Sequence, residues 1–317
     1  EKGLVGVGVS LDSATKEHHD QFRGSEGSFE KSCAGIRAAV AAGLHAQVHM
    51  TITRDNLDEL RECVDLSVSL GASIVNFFFL VCIGRGDGVM DLSPDQYESV
   101  LNEIVALQAE VADSGKGVMV QARCAPHFKR VLFENDPNSA FTRAQGYDGG
   151  GCIAGTSYCR VTPTGDVTAC PYIEASAGNI RETDFWSIWD NAAMFHSLRH
   201  GRLSGRCGGC EYTAICGGCR ARGLLSGGDL MGEDPSCAYQ PKGGAMISIL
   251  DPNNEGCAKV VWTEGARRRL KTLPFFLRSY VKRRLEERAA REGTVVSEEL
   301  MSRHRREREQ ELGTRFS

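Results

Sequence analysis

Eight cysteines crowd the stretch from Cys152 to Cys237, and their order constrains what this part of the chain can be built around. The series runs Cys152-x6-Cys159-x10-Cys170, then Cys207-x2-Cys210-x5-Cys216-x2-Cys219, and closes on Cys237. Gly165 lies in Thr-Pro-Thr-Gly-Asp, five residues before Cys170, a turn that returns the chain from one thiolate to the next. Eight thiolates are what two four-iron clusters need, since each takes four. Structural zinc uses the same paired Cys-x2-Cys ligands, and two all-cysteine zinc sites would match the count. Disulfide frameworks belong to short secreted scaffolds, whereas this chain has 317 residues in an α/β pattern.

The spacing resembles the SPASM domain that follows the catalytic barrel in many radical S-adenosylmethionine enzymes. Ala-Gly-Asn-Ile-Arg (177–181) and Trp186-Ser-Ile-Trp189 are similar to the segment those enzymes place between their two cysteine groups. The resemblance implies a first auxiliary [4Fe-4S] cluster on Cys152, Cys159, Cys170 and Cys219, and a second on Cys207, Cys210, Cys216 and Cys237. The last internal spacing is two residues where many members have three, a departure shared by the tetrapyrrole-modifying branch.

Upstream, strands and helices alternate. Val5–Leu11 reads as a strand, Phe29–Ala42 as an apolar-striped helix ended by Gly43, and Val48–Thr53 as the next strand. Asn56 reads as the N-cap of a helix running to Leu70 and stopped by Gly71. Ile74–Cys82 is apolar except at Asn76, too short to span a membrane and suited to a strand buried on both faces. Ser93-Pro-Asp-Gln opens a helix to about Ala112, and Val118–Arg123 is the fourth strand. Repeated β-α units imply a parallel sheet or part of a barrel, with function at the strand C-terminal ends.

At those ends Ser10-Leu11-Asp12, His19-Asp20 and Arg23-Gly24 resemble the fourth strand and loop of a radical S-adenosylmethionine barrel. The resemblance implies that Ser10 and Arg23 hold the cofactor's carboxylate, and a hydroxyl and a guanidinium suit that partner. Leu80–Gly86 resembles the sixth strand and its Gly-Arg-Gly turn, where a backbone group at Leu80 would meet the adenine. The family's Cys-x3-Cys-x2-Cys triad and the Gly-Gly-Glu stretch of its second strand do not occur in this sequence, which opens at Glu1. The expectation is therefore a fragment lacking about the first half of its barrel, unable as it stands to form a 5′-deoxyadenosyl radical. S-adenosylmethionine and a third [4Fe-4S] cluster are implied for the complete protein.

The expected fold class is thus α/β. Residues 1–135 form the C-terminal part of a partial (β/α)6 barrel, residues 150–240 the cysteine-rich domain, residues 241–258 a linker, and residues 259–317 a small all-helical tail. A hydrophobic fraction of 41% allows both globular domains a sizeable core. Of the five other cysteines, Cys33 and Cys63 lie on expected helices as small buried hydrophobes, leaving Cys82, Cys124 and Cys257. Cys124-Ala-Pro-His127 ends a strand on the expected active-site side, which makes Cys124 and His127 the catalytic candidates, against a packing role for the thiol. So many thiols imply a reducing, cytoplasmic setting, and no signal peptide or membrane-spanning run is visible.

The tail changes sign. Residues 259–317 carry sixteen Lys+Arg and nine Asp+Glu, a net of +7 that leaves −11 for residues 1–258. Three helices are expected: one from Thr263 to near Pro274, one over Phe275–Glu292, and one capped by Ser297. Trp262-Thr-Glu-Gly-Ala-Arg, Leu-Pro-Phe-Phe-Leu-Arg-Ser (273–279) and Val-Ser-Glu-Glu-Leu (296–300) resemble a helical module at the C-terminus of the catalytic subunit of light-independent protochlorophyllide reductase. Interleaved glutamates and the lack of an aromatic platform argue against nucleic acid.

The strand and cysteine motifs are similar to those of the heme d1 and alternative heme biosynthesis enzymes. That resemblance implies hydrogen-atom abstraction from a propionate side chain of a tetrapyrrole, an oxidoreductase or decarboxylase-like reaction, with ferredoxin or flavodoxin as electron donor. One alternative is a maturase of a ribosomally made peptide. Sulfatase maturation fits less well, because that group places an aspartate where this chain has Pro171. Another is a non-catalytic iron–sulfur electron-transfer protein.

Overall fold

The computed structural model describes residues 3–83, 91–115, 117–139, 141–142, 151–247, 261–282, 285–286, 288–289, 292 and 294–304, except positions 273–280. Two compact units divide the chain, residues 1–249 and residues 250–317.

The first unit opens with β1 (Gly6–Ser10), α1 (Lys16–Arg23), α2 (Ser28–Ala41), β2 (His45–Ile52), a 3-10 turn at Leu57–Glu59, α3 (Leu60–Ser69), β3 (Ile74–Phe79), α4 (Pro94–Asp113), β4 (Met119–Arg123) and α5 (His127–Asn135). The four strands form one parallel sheet in the order β1-β2-β3-β4, so each crossover carries a helix to the next strand. Ser93 caps α4 through a reciprocal pair with Gln96 behind Pro94, an arrangement worth about 1 kcal/mol.

The sheet's two faces differ in chemistry. Val48, Met50, Ile52, Val75, Phe77, Phe79 and Val120 are all but inaccessible to solvent and pack against Ile36, Leu60, Val64, Leu101 and Ile104 of the helices. The opposite face carries Gln47, His49, Asn76, Gln121 and Arg123, because successive strand residues alternate sides. Ile74–Phe79 is the buried strand expected there, though it stops three residues short of Cys82.

Asn56, at the N-cap position of the 3-10 turn that leads into α3, makes no side-chain capping hydrogen bond. It is 1% exposed, and its amide donates to the carbonyls of Asp12 and Thr51 while accepting from the Thr53 N–H. It ties the ends of β1 and β2 together instead. Cys33 and Cys63 are buried as expected.

The cysteine-rich part is assembled from a three-stranded antiparallel sheet of β5 (Arg160–Val161), β6 (Asp166–Thr168) and β7 (Ser176–Asn179), followed by short helices. These are α6 (Phe185–Asn191), α7 (Ala193–His200), α8 (Gly205–Gly208) and α9 (Arg220–Gly227). Val167, Ala169, Ile173, Ile188, Trp189 and Phe195 make its core. Residues 241–247, expected to begin a linker, keep a hydrogen bond from Ile247 N–H to the Glu211 carbonyl at 2.7 Å.

In the second unit α10 (Glu264–Thr272) begins where Thr263 accepts from the Ala266 N–H. Ser297 caps a further helical turn in the same way through Leu300. Trp262, Ala266, Leu285, Ala289, Val296 and Leu300 form its core, with the Trp262 indole donating to Glu286. Phe275, Phe276, Tyr280 and Cys257 lie outside the described residues. Among the described residues no helix is long and apolar enough to cross a membrane.

Candidate iron–sulfur and cofactor site

The first cysteine set is gathered by a tight turn, a hairpin and a helix start. Residues 153–158 fold back on themselves, with Gly155 N–H donating to the Tyr158 carbonyl at 2.8 Å, so Cys152 and Cys159 flank one compact turn. Next comes the β5–β6 hairpin, closed at Gly165, whose φ of 95° suits a residue without a Cβ. Arg160 pairs with Thr168, which puts Cys159, one residue before β5, at the same end of the hairpin as Cys170. Cys219 arrives from far along the chain as the residue preceding α9. Burial pushes the Cys170 thiol up to about 11 and that of Cys219 to about 12, and the charge of a Cys152 thiolate would raise both further. Cys124 belongs to this neighbourhood too. Its Sγ lies 3.8 Å from the Tyr172 hydroxyl, and its φ of 56° is positive, the only such value outside glycine among the described residues.

The second set closes on itself. Cys207, Cys210, Cys216 and Cys237 together line one small pocket, alongside His127, Arg130, Arg206 and Asp234. Thr213 and Cys216 N–H groups close turns onto the carbonyls of Cys210 and Tyr212. Gly217 and Gly218 sit at φ 63° and 70°. A Cβ at Gly218 would stand 2.7 Å from the Asp234 Cβ and 3.0 Å from the Cys207 Sγ, so only glycine fits between them. Burial pushes the thiol of Cys237 up to about 11 and raises that of Cys216 further. Neutral thiols in both sets fit a group that supplies positive charge, since a bound metal deprotonates its cysteine ligands. Among the described residues no three His, Cys, Asp or Glu side chains converge on a single ion.

Asp234 joins the two sets. Its carboxylate is inaccessible to solvent and accepts the Cys219 N–H at 2.7 Å, the Arg222 guanidinium at 3.0 and 3.1 Å, and the Ser236 N–H at 3.0 Å. His127 Nε2 stands 3.1 Å from it. Burial works to raise this carboxyl, but Arg222 and His127 outweigh burial and hold it well below the usual carboxylate range. Arg222 also reaches the Leu80 carbonyl at 3.5 Å and stacks over Tyr97 at 5.2 Å, and the Tyr97 hydroxyl donates to the same carbonyl at 3.0 Å. The end of β3 is thereby fastened to the cysteine-rich part. Sequence reasoning passed over Asp234 and Arg222, because Asp-Pro-Ser-Cys reads as an ordinary turn.

The remaining expected residues fall at strand ends. Ser10 is exposed at the end of β1. Arg23 closes α1 and pairs with the buried Asp12 just past β1, so the guanidinium is anchored beside Ser10's strand. Five N–H donors let an arginine hold a carboxylate while keeping such an anchor. Leu80 follows β3 with its carbonyl engaged as described, while Gly84, Arg85 and Gly86 lie outside the described residues. His127 begins α5 and turns to the wall of the second cavity, away from the polar face of the sheet.

Residues 152–220 match the SPASM family, an iron–sulfur cluster-binding domain. An AdoMet-dependent heme synthase of Methanosarcina barkeri is 38% identical over 245 residues, covering 75% of this chain and 69% of that protein. A mycofactocin maturase of Mycobacterium tuberculosis is 32% identical over 240 residues, covering 74% and 57%. The crystal structure of Streptococcus suis SuiB bound to S-adenosylmethionine superposes with a TM-score of 0.56 at 15% identity, over 73% of this chain and 53% of that one. The chain spans 57–69% of the length of the curated relatives it matches.

Proposed function

The chain belongs to the radical S-adenosylmethionine enzymes that carry a SPASM iron–sulfur domain, and on that premise we propose that the complete protein modifies propionate side chains of a tetrapyrrole in heme or heme d1 type biosynthesis. The observation that carries this reading is the 38% identity to an AdoMet-dependent heme synthase across both the strand-and-helix part and the cysteine-rich part.

When bound, S-adenosylmethionine and its cluster supply a radical that takes a hydrogen atom from a propionate carbon, after which carbon dioxide and one electron leave. The two cysteine sets would each hold an auxiliary [4Fe-4S] cluster, and such buried thiolate-ligated clusters, with their tunable potentials, would supply a one-electron acceptor. Ser10 and Arg23 hold the cofactor's carboxylate, and the backbone at Leu80 meets its adenine. Arg222 and Tyr97 fix the Leu80 carbonyl, and Asp234 fixes Arg222, so the adenine side of the site and the cluster side share one rigid support. Cys124, whose Sγ lies 3.8 Å from the Tyr172 hydroxyl just past β4, would contact the substrate beside the first cysteine set. A ferredoxin or flavodoxin returns electrons.

Titrating the full-length protein with heme and siroheme derivatives, with and without residues 259–317, tests the reading by absorbance. Binding of a tetrapyrrole supports it. Failure to bind any tetrapyrrole, beside binding of a peptide encoded next to the gene, promotes the peptide-maturase reading that the mycobacterial relative favours.

A further inference from the structure

Parallel pairing sets the side chains of the sheet's polar face in rows. Ser10 is in register with His49, His49 with Asn76, and Asn76 with Gln121, so one row of polar groups crosses all four strands. Asn76 is its centre. Its amide donates to Gln47 at 3.1 Å, and its carbonyl oxygen accepts from Gln121 at 2.9 Å and from Arg123 Nε at 3.0 Å. These bonds fix the arginine's stem at the C-terminal end of β4.

His49 is the group this network does not explain. Its Nε2 is buried and has no hydrogen-bond partner among the described residues. An orphaned buried polar group of this kind costs about 1–3 kcal/mol. The imidazole packs against Phe78 at 5.1 Å and lies over Gly8, where a Cβ would come within 2.5 Å of the ring. Burial and the Arg123 charge both favour its neutral form. A neutral imidazole donor and a guanidinium on one face, steadied by two amides, match an anion with two acceptor oxygens.

We propose that His49 and Arg123 hold a carboxylate of the substrate, one propionate of the tetrapyrrole, on this face of the sheet. The assignment rests on the tetrapyrrole reading and adds to it the residues that grip the macrocycle. Arg23, tied to Asp12 at the β1 end, serves the cofactor, whereas Arg123 stands at the β4 end of the same sheet. Arg123 is followed directly by Cys124, which touches Tyr172 beside the first cysteine set. A substrate gripped at Arg123 therefore sits at the entrance to that set.

The test uses full-length, anaerobically reconstituted protein and two probes, heme and heme dimethyl ester, titrated by absorbance. Arg123→Ala and His49→Phe are expected to weaken heme binding by about ten- to hundredfold, the loss of a charge-assisted hydrogen bond, and to leave ester binding unchanged. Arg123→Lys keeps the charge and must recover part of the loss. Wild-type affinity for heme in Arg123→Ala and His49→Phe would overturn the assignment while leaving the tetrapyrrole reading intact. So would equal losses in Arg123→Lys and Arg123→Ala, or a loss confined to S-adenosylmethionine binding. A wild-type protein that binds neither probe removes both.

Discussion

The two cysteine sets reach the same number of ligands by different routes. Three ligands of the second set come from residues 207–216, and the fourth, Cys237, completes the small pocket that they line. The first set draws Cys152, Cys159 and Cys170 from a turn and a hairpin and must wait for Cys219, near the other group, to close it. The neighbours differ as well. Arg130 and Arg206 line the second cavity, whereas the first set adjoins Cys124 and Tyr172 at the exit of β4. The second site thus takes its ligands from one compact piece of chain, with His127 and Arg130 of α5 in its wall, and the first adjoins the end of the sheet.

The strongest way to break that contrast is to remove what the sets share. Asp234→Ala leaves the buried Arg222 without its carboxylate, and loss of one partner of a buried pair costs about 3–5 kcal/mol. Thermal or denaturant unfolding should show that loss, and iron content should fall at both sets rather than one. Single-ligand changes sharpen the contrast. Cys210→Ala should remove about four irons of an expected eight and spare the first site, and Cys159→Ala should do the reverse, read by iron and sulfide analysis. Gly218→Ala should act on the second set first, costing about 1–3 kcal/mol because a Cβ meets both Asp234 and Cys207 at a left-handed φ. The smallest effect concerns pH and belongs to neither set. His19 Nδ1 accepts the Asp12 N–H, and burial lowers this imidazole's affinity for protons. The unfolded chain then binds the proton more readily, so stability is full above about pH 6.5 and declines as pH falls below it, by at most about 1.4 kcal/mol per pH unit for one such group. Equilibrium unfolding at a series of pH values checks this, and His19→Gln should flatten the dependence.

Much of the sheet was readable in the chain because its signals are local. Ser93-Pro94 announces α4 through a capping box, and Ile74–Phe79 announces a buried strand through an apolar run broken only at Asn76. By contrast α1, Lys-Glu-His-His-Asp-Gln-Phe-Arg, has no apolar stripe and buries only His19, so periodicity misses it. Asn56 carries the sequence mark of a cap but spends its amide on two strand ends. The cysteine grouping followed from spacing and resemblance, since ligands announce themselves by type. Asp234 did not, because its partners His127 and Arg222 and its link to Cys219 are set by packing between distant segments. The polar row from Ser10 to Gln121 was equally hidden, for it exists only once the register of three strand pairs is known.

A carboxylate that holds Cys219 while standing in the wall of the neighbouring cavity has a consequence for maturation. Filling either site fixes the loop that carries Asp234, and a fixed loop presents its remaining thiols already arranged. The entropic cost of ordering falls mostly on whichever cluster is inserted first, and the second inserts more easily. At intermediate iron supply, half-filled molecules of the native chain should then be fewer than independent filling of two sites would give.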